Sequence, residues 1–239
     1  TSTVTFYGAN VSLLGTATTF TTLTIANGST LTGTAVPTAT TFNINNGGKY
    51  VQVSGTAIPG TTRNFGATST YEYQTTGQTG WPLENITWGH LIINIPGSTS
   101  NCSAAGNIRT VQGDLYIKHA GTGSYRLSAN SNITLNIGGS LILDGGQLIM
   151  STGSGVVTTN ITGGVTLNGG TLSIVGGTGV SPLNFKGNWT NNGATFTPGT
   201  GTVTLNGTSQ QTIGGTGTNS FYNLTMNNST GALLSNINT

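Results

Sequence analysis

Residues 136–150 read NIGGSLILDGGQLIM, and residues 160–174 read NITGGVTLNGGTLSI. Both stretches contain an apolar residue, a glycine, two alternating apolar residues, a Gly-Gly pair and two further alternating apolar residues, at an offset of 24 positions. Residues 184–196 follow the pattern at another offset of 24, and residues 113–117 match it more weakly. A unit that recurs at a fixed spacing indicates a repeat architecture.

Each unit has the composition of short β-strands joined by tight corners. Its apolar residues are often β-branched and alternate with polar ones, which is typical of strands. Its Gly-Gly and Asn-Gly corners accept left-handed backbone conformations. The sequence therefore predicts an all-β chain that forms a single β-solenoid (parallel β-helix). At ~24 residues per coil the chain would make about ten coils, and the stacked strands of successive coils would lie about 4.8 Å apart. Tandem β-sandwich domains are the alternative fold, but repetition in register favours the solenoid, whose coils occupy near-identical environments.

A second motif recurs at Ser2–Asn27, Ser69–Asn94 and Gly201–Asn228. Each copy begins with an alternating apolar pair and ends with an aromatic residue followed by another apolar pair. Residues 56–68, which contain prolines and glycines, are expected to form a loop. The predicted organisation is one continuous solenoid over residues 1–239, with N-terminal coils (1–68), a decorated middle coil with a lateral loop (69–107), regular 24-residue coils (108–200), and a C-terminal coil and terminal strand (201–239).

The chain carries very little charge. Only 4% of its 239 residues are charged and the net charge is +2, against about 25% charged residues in an ordinary domain. The six Lys and Arg residues are scattered, so no nucleic-acid partner is predicted. No apolar run approaches the ~20 residues of a membrane-spanning helix. Cys102 is the only cysteine and is expected to be a buried small residue.

Several strings resemble the repeats of very large secreted surface proteins of Bacteroidota and related environmental bacteria. They are TVTLNG (202–207), QTIGG (211–215), FYNLTMNN (221–228) and GDLYI (113–117). The resemblance implies a parallel β-helix similar to adhesins and extracellular fibres, an extracellular or cell-surface location, and no catalytic residues. Such repeats usually occur in far longer chains, so the resemblance also implies either a fragment or a short protomer that assembles.

The acidic residues do not suggest an active site. A glycan-cleaving enzyme needs clustered carboxylates, whereas Glu72, Glu84, Asp114 and Asp144 are scattered through the sequence. Asp144 occupies a corner position that is Asn168 one repeat later, so it is expected to be a turn residue. Glu72 lies between two tyrosines at apolar positions and is expected to point outward. No enzyme activity, metal site or cofactor is predicted.

The middle copy of the second motif contains the residues for a carbohydrate platform. Aromatic rings beside a carboxylate can bind sugars, and the candidates are Tyr71, Tyr73, Trp81, Glu84 and Trp88. The competing interpretation is that Tyr71, Tyr73 and Trp88 fill apolar positions of the motif and belong to the core. Frequent Asn, Ser and Thr also leave glycosylation of the chain open.

The favoured function is a non-enzymatic structural subunit of an extracellular filament or cell-surface appendage. A solenoid that stays monomeric needs polar caps over its terminal coils, and neither end of the sequence has a charged or helical cap. Identical protomers are expected to polymerise head to tail through Val4, Phe6, Phe20, Leu23, Ile25, Phe221, Leu224, Met226, Leu233, Leu234 and Ile237. The alternative function is a carbohydrate-binding or adhesin module of a larger secreted surface protein.

Overall fold

The computed structural model describes residues 2–14, 19–74, 84–95, 102–103, 108–119, 122–175 and 177–235. Within these residues the chain contains 27 short strands and no helix. All pairings between named strands are parallel, and the described residues add one isolated antiparallel bridge between Val175 and Val180. The chain is therefore a β-solenoid, and its parallel ladders exclude the β-sandwich alternative, whose sheets are antiparallel.

The strands of the N-terminal coils are β1 (Thr3–Phe6), β2 (Val11–Leu13), β3 (Thr19–Ile25), β4 (Thr30–Gly33), β5 (Thr38–Ile44), β6 (Lys49–Gln52), β7 (Thr62–Phe65) and β8 (Thr70–Tyr73). Those of the middle coils are β9 (Thr87–Trp88), β10 (His90–Asn94), β11 (Cys102–Ser103), β12 (Thr110–Val111), β13 (Leu115–His119), β14 (Ser124–Ser128), β15 (Ile133–Ile137), β16 (Leu141–Leu143), β17 (Gln147–Ser151), β18 (Val157–Ile161), β19 (Val165–Leu167) and β20 (Thr171–Ser173). The remaining strands are β21 (Leu183–Phe185), β22 (Trp189–Asn191), β23 (Thr195–Thr197), β24 (Thr202–Leu205), β25 (Gln211–Gly214), β26 (Asn223–Met226) and β27 (Ala232–Leu234).

The strands stack into three faces. The long face is an 11-stranded sheet in the order β2-β4-β6-β8-β10-β13-β16-β19-β22-β25-β27. The second face consists of the sheet β1-β3-β5-β7 and the sheet β26-β24-β21-β18-β15-β12-β9. We call it the leading face, because in the sequence each of its strands comes directly before a strand of the long face. Among the described strands, the third face is β11-β14-β17-β20-β23, and it lies in the middle coils. At about 4.8 Å per strand, the ten steps along the long face span roughly 48 Å.

Coil length follows from the number of strands in a coil. In the middle of the chain one coil runs from Leu141 to its ladder partner Val165, and it contains three strands. Coils near both ends are shorter, since Val11 pairs with Leu31 and Ile213 pairs with Leu234. Each of these coils adds one strand to the leading face and one to the long face. The predicted repeat length thus applies to the middle of the chain, where the third strand accounts for the longer coil.

The three copies of the second motif each describe one complete turn of the solenoid. The apolar pair that begins a copy lies beside the pair that ends it: Val4 pairs with Leu23, Tyr71 with Leu91 and Val203 with Leu224. The apolar pairs of the first and third copies lie on the leading face, and those of the second copy lie on the long face. The motif is therefore a sequence pattern for a short coil and is not bound to one face.

Alternation places the apolar side chains inside and leaves amides and hydroxyls outside. The inward row of the long face continues from Leu31 to Ile213, and its members are almost fully buried. Outside, Asn160 donates to Asn136 at 3.0 Å and Asn184 donates to Asn160 at 3.0 Å. These bonds repeat along the axis because equivalent positions of successive coils are neighbours in the ladder.

The corners are tight enough to require glycine. Gly170 has a positive φ of 80°, a conformation that residues with a Cβ adopt at a cost. A Cβ at this position would come within 2.2 Å of the carbonyl oxygen of Gly146, the corresponding corner residue of the preceding coil. Asp144 lies at the same corner and accepts a hydrogen bond from Asn168 at 2.7 Å, which confirms its expected place in the turn.

Candidate functional site

The two terminal coils expose apolar side chains of the inward rows. Leu234 continues the inward row of the long face and is 52% exposed, and Met226 continues a row of the leading face and is 42% exposed. At the opposite end, Val4, Phe6 and Val11 occupy inward positions and are half-buried. Each end therefore presents the cross-section of a core that has a covering coil on only one side.

The predicted interface residues fall into two groups. Val4, Phe6, Phe221 and Leu224 are half-buried at the ends, and Met226, Leu233 and Leu234 are exposed there. By contrast, Phe20, Leu23 and Ile25 lie one coil inside and are almost completely buried. In the folded protomer these three side chains lie beneath the terminal coil, so they are not part of the exposed end surface. Ile237 lies outside the described residues.

Edge strands at both ends lack the residues that normally discourage sheet extension. Residues 1–48 and 187–239 contain no Asp, Glu, Lys or Arg. The strands at the edges, β1, β2, β26 and β27, contain no proline. Natural proteins protect exposed edges with charges, especially Lys, with Pro, or with bulges. These edges are therefore suited to pairing with another strand.

The aromatic residues of the middle motif lie in the core. Tyr71 and Tyr73 are each 2% exposed and Trp88 is 1% exposed. The rings of Tyr71 and Trp88 make an edge-to-face contact with centroids 5.2 Å apart, and Tyr50 contacts Tyr71 at 5.3 Å. A carbohydrate platform built on Tyr71, Tyr73 and Trp88 is thus contradicted by their burial, which leaves no ring face for a sugar. Trp81 lies outside the described residues.

Glu72 points outward from the long face, as expected, but side chains of the neighbouring coils cover it and leave it only 4% exposed. Lys49 forms an ion pair with it at 2.5 Å, and Asn94 and Gln74 donate to its Oε1 at 2.6 Å. Burial by itself would raise the pKa of Glu72, but the hydrogen bonds from Lys49, Asn94 and Gln74 outweigh it and lower the pKa. The carboxylate therefore ties three successive coils together through its neighbours.

Arg63 ends an apolar row of the leading face. It occupies the ladder position next to Phe42, which pairs in turn with Leu23. Its guanidinium donates to the carbonyl oxygens of Pro59 and Ile58 at 3.1 Å and forms an ion pair with Glu84. Glu84, a member of the predicted platform, is accordingly engaged in neutralising a partly buried arginine.

Beside Arg63 the leading face contains an open cleft of about 930 Å³. The cleft lies where the sheet ending at β7 gives way to the sheet beginning at β9. Amide side chains dominate its lining, accompanied by the half-buried ring of Phe65. The lining includes Asn43, Asn45, Asn46, Asn64, Phe65 and Gln112. Sequence reasoning missed this cleft because its residues come from five successive coils and form no continuous motif.

Other polar side chains form isolated contacts. His90 lies 3.3 Å from Asp114, which also accepts a hydrogen bond from the backbone of Ser140 at 2.7 Å. The hydrogen bond from Tyr116 to Asp144 raises the pKa of Tyr116 to about 12. Among the residues that the structure describes, no group of three or more His, Cys, Asp or Glu side chains could hold a metal ion. The same part of the chain contains no helix long and apolar enough to cross a membrane.

The described residues form a β-solenoid whose terminal coils expose apolar side chains and whose side contains a cleft. Comparison with known proteins gives no relative for it: no family model, no curated protein and no solved structure matches the chain.

Proposed function

We propose that this protein is a structural subunit of an extracellular filament or surface appendage, in which identical protomers join head to tail. The observation that carries the proposal is the correspondence between the two ends. The long face begins with β2 and ends with β27, and the leading face begins with β1 and ends with β26. A second copy placed end to end would therefore extend both faces without interruption.

The register of the junction follows from the inward rows. Leu234 belongs to the row that contains Ile213, and Val11 belongs to the row that contains Leu31. Joining these rows places Leu234 of one protomer beside Val11 of its partner. The terminal coils are also built alike, because in the described part of the chain each has one strand on the leading face and one on the long face. The two cross-sections are therefore compatible.

Burial of the exposed apolar residues supplies the driving force. Met226 and Leu234, which are 42% and 52% exposed in the single protomer, would lose this contact with water. Fully burying such a side chain contributes about 1.5–3 kcal/mol, so the exposed half contributes about 1 kcal/mol for each residue. The backbone groups at the four edges would form ladders of the same parallel kind as the interior. A head-to-tail contact that does not close on itself produces a helical filament.

Substitution of one end residue tests the proposal. Leu234→Lys would place an unpaired charge in the junction, and the cost of burying it should prevent assembly. Thr190→Lys is the matched control, because Thr190 is an outward-facing residue of the same sheet in the body of the protomer. Light scattering and negative-stain microscopy should show filaments for the wild type and Thr190→Lys, and monomers for Leu234→Lys.

A covalent trap tests the register. The variant Val11→Cys/Leu234→Cys in a Cys102→Ser background should form a ladder of disulfide-linked species under oxidising conditions, whereas each single cysteine variant should not. Adjacent ladder positions have the Cα separation that a disulfide requires. A wild type that remains a monodisperse monomer at high concentration would refute the proposed assembly. Assembly without cross-linking would refute the proposed register.

A further inference from the structure

We propose that the cleft on the leading face binds a neutral, hydroxyl-rich polysaccharide chain. This inference is independent of the filament proposal, because the cleft lies on the side of the solenoid and away from both ends. It also uses residues other than the buried aromatic ones that the sequence suggested. Four properties of the cleft carry it: its amide lining, its neutralised charge, its apolar ring and the spacing of its coils.

Amides suit hydroxyl recognition because each side chain both donates and accepts hydrogen bonds. Asn45 is exposed at a corner, and Asn64 is exposed on the strand beside it. Asn64 donates to Asn43 at 2.9 Å, and Asn43 donates to Thr24 at 3.1 Å. This chain of bonds fixes the direction of each amide, so the cleft presents an ordered array of polar groups before any ligand arrives.

The only charged side chain among the described lining residues is already paired. Arg63 lines the cleft, and its guanidinium is held by Glu84 and by two backbone carbonyl oxygens. Its charge is therefore compensated within the protein, and an anionic ligand would have to compete with Glu84. The remaining polar lining consists of neutral amides and a hydroxyl, which favours a ligand without charge.

The cleft combines these amides with an apolar ring. Phe65 is half-buried, and its ring is tilted against those of Tyr71 and Trp88 at 5.8 and 5.7 Å. Because it is packed against the core, the ring can offer a rigid surface to the carbon-bound hydrogens of a sugar. A few oriented polar groups beside an apolar surface are the usual composition of a small-molecule site.

Coil spacing matches an extended sugar chain. Asn43 and Asn64 are ladder partners on successive coils, separated by about 4.8 Å. One sugar unit of an extended chain has about this length, so two successive units of a chain running along the solenoid axis would each meet one of these amides. A cleft of about 930 Å³ can hold several such units.

Titration calorimetry with three neutral hexasaccharides, β-1,4-linked glucan, mannan and xylan, tests the inference, with oligogalacturonate as the charged comparison. At least one neutral chain should bind, and the Asn45→Ala/Asn64→Ala variant should weaken that binding at least tenfold. Phe65→Leu, which removes the ring and keeps an apolar side chain, should weaken it as well. The matched control is Asn160→Ala/Asn184→Ala, which removes two amides from the ladder elsewhere on the same face and should leave the affinity unchanged.

Thermal unfolding of each variant shows that a lost affinity does not reflect a lost fold. Failure of all three neutral chains to bind at millimolar concentration would overturn the inference. Equal weakening by the cleft variant and the control variant would also overturn it, as would tighter binding of oligogalacturonate than of every neutral chain. None of these results bears on whether the protomers assemble at their ends.

Discussion

Asn191 should be one of the most important polar residues for the stability of the solenoid. It lies at the inward position next to Leu167 in the ladder and is fully buried. Its amide nitrogen donates to the carbonyl oxygens of Ala194 and Thr218 at 3.1 and 2.9 Å. Its Oδ1 accepts from the backbone of Gly193 and Ala194 at 3.0 and 2.9 Å. One side chain thus closes a corner and joins it to the next coil.

The variant Asn191→Ala removes four hydrogen bonds, and two of them are made to the backbone of the buried Ala194. A net contribution of about 1 kcal/mol for each bond gives an expected loss of about 3–5 kcal/mol in the free energy of unfolding. The neighbouring Asn192→Ala is the matched control. Asn192 makes one exposed bond, to Asn168 at 2.8 Å, so its replacement should cost about 0.5 kcal/mol.

Urea unfolding and hydrogen exchange measure this difference. The unfolding midpoint should fall strongly for Asn191→Ala and barely for Asn192→Ala. The amides of Gly193 and Ala194 should exchange about 10²–10³ times faster in Asn191→Ala, since 1.4 kcal/mol corresponds to about a tenfold change. Asn191→Leu should not restore stability, although leucine matches the apolar row. Near-equal losses for Asn191→Ala and Asn192→Ala, or full rescue by Asn191→Leu, would refute the hydrogen-bond explanation.

Three further outcomes are expected. Gly33→Ala should lower the thermal unfolding midpoint, because its Cβ would lie 2.5 Å from the hydroxyl of Tyr50; an unchanged midpoint would contradict this packing. Glu72→Gln should destabilise the protein near neutral pH and flatten its acid unfolding, because the lowered pKa of Glu72 contributes stability that is lost as the pH falls below 4.5; parallel acid profiles for variant and wild type would count against the buried ion pair. Asn160→Ala, which breaks two ladder bonds on the surface, should lower the free energy of unfolding measured in urea by about 1 kcal/mol. A loss as large as that of a core substitution would contradict this small contribution of the surface hydrogen bonds.

The sequence was sufficient to predict the solenoid because its repeats impose the same local choices in every coil. Leu141, Val165 and Trp189 occupy one ladder row, and the constant spacing between them predicted this arrangement. The shorter terminal coils were harder to foresee, because a coil with two strands and a coil with three have the same alternation within each strand. Coil length depends on how the chain turns its corners, which alternation does not encode.

Departures from the pattern were the positions at which sequence reasoning failed. Residues 56–68 were expected to form a loop, but they contain strand β7. Arg63 occupies the inward position that Phe42 occupies in the preceding coil. This charged residue interrupts the apolar alternation by which the strand could have been recognised. The cleft was hidden for a related reason: its residues are adjacent only after five coils have stacked, and no spacing in the sequence reveals them.

Residues with two plausible environments were also ambiguous. Tyr71 and Trp88 occupy motif positions that fit either a core or a sugar platform, and only their contacts with Tyr50 and Phe65 decide for the core. Glu72 alternates with tyrosines as an outward residue should, but Lys49 and Asn94 from the coils on either side cover it. Cover of this kind depends on the neighbours in the stack and not on the residue's own strand.

X-ray fibre diffraction from aligned filaments tests the central claim, that the two ends join with both faces continuous, most directly. We predict a meridional reflection at about 4.8 Å, because every strand of every protomer lies at the same spacing along the axis. We also predict a subunit repeat of eleven such spacings, about 53 Å, since the long face of each protomer contains 11 strands and the junction adds one step to the ten within it. Filaments whose subunits lie side by side, with the reflection at about 4.8 Å perpendicular to the fibre axis, would contradict the claim.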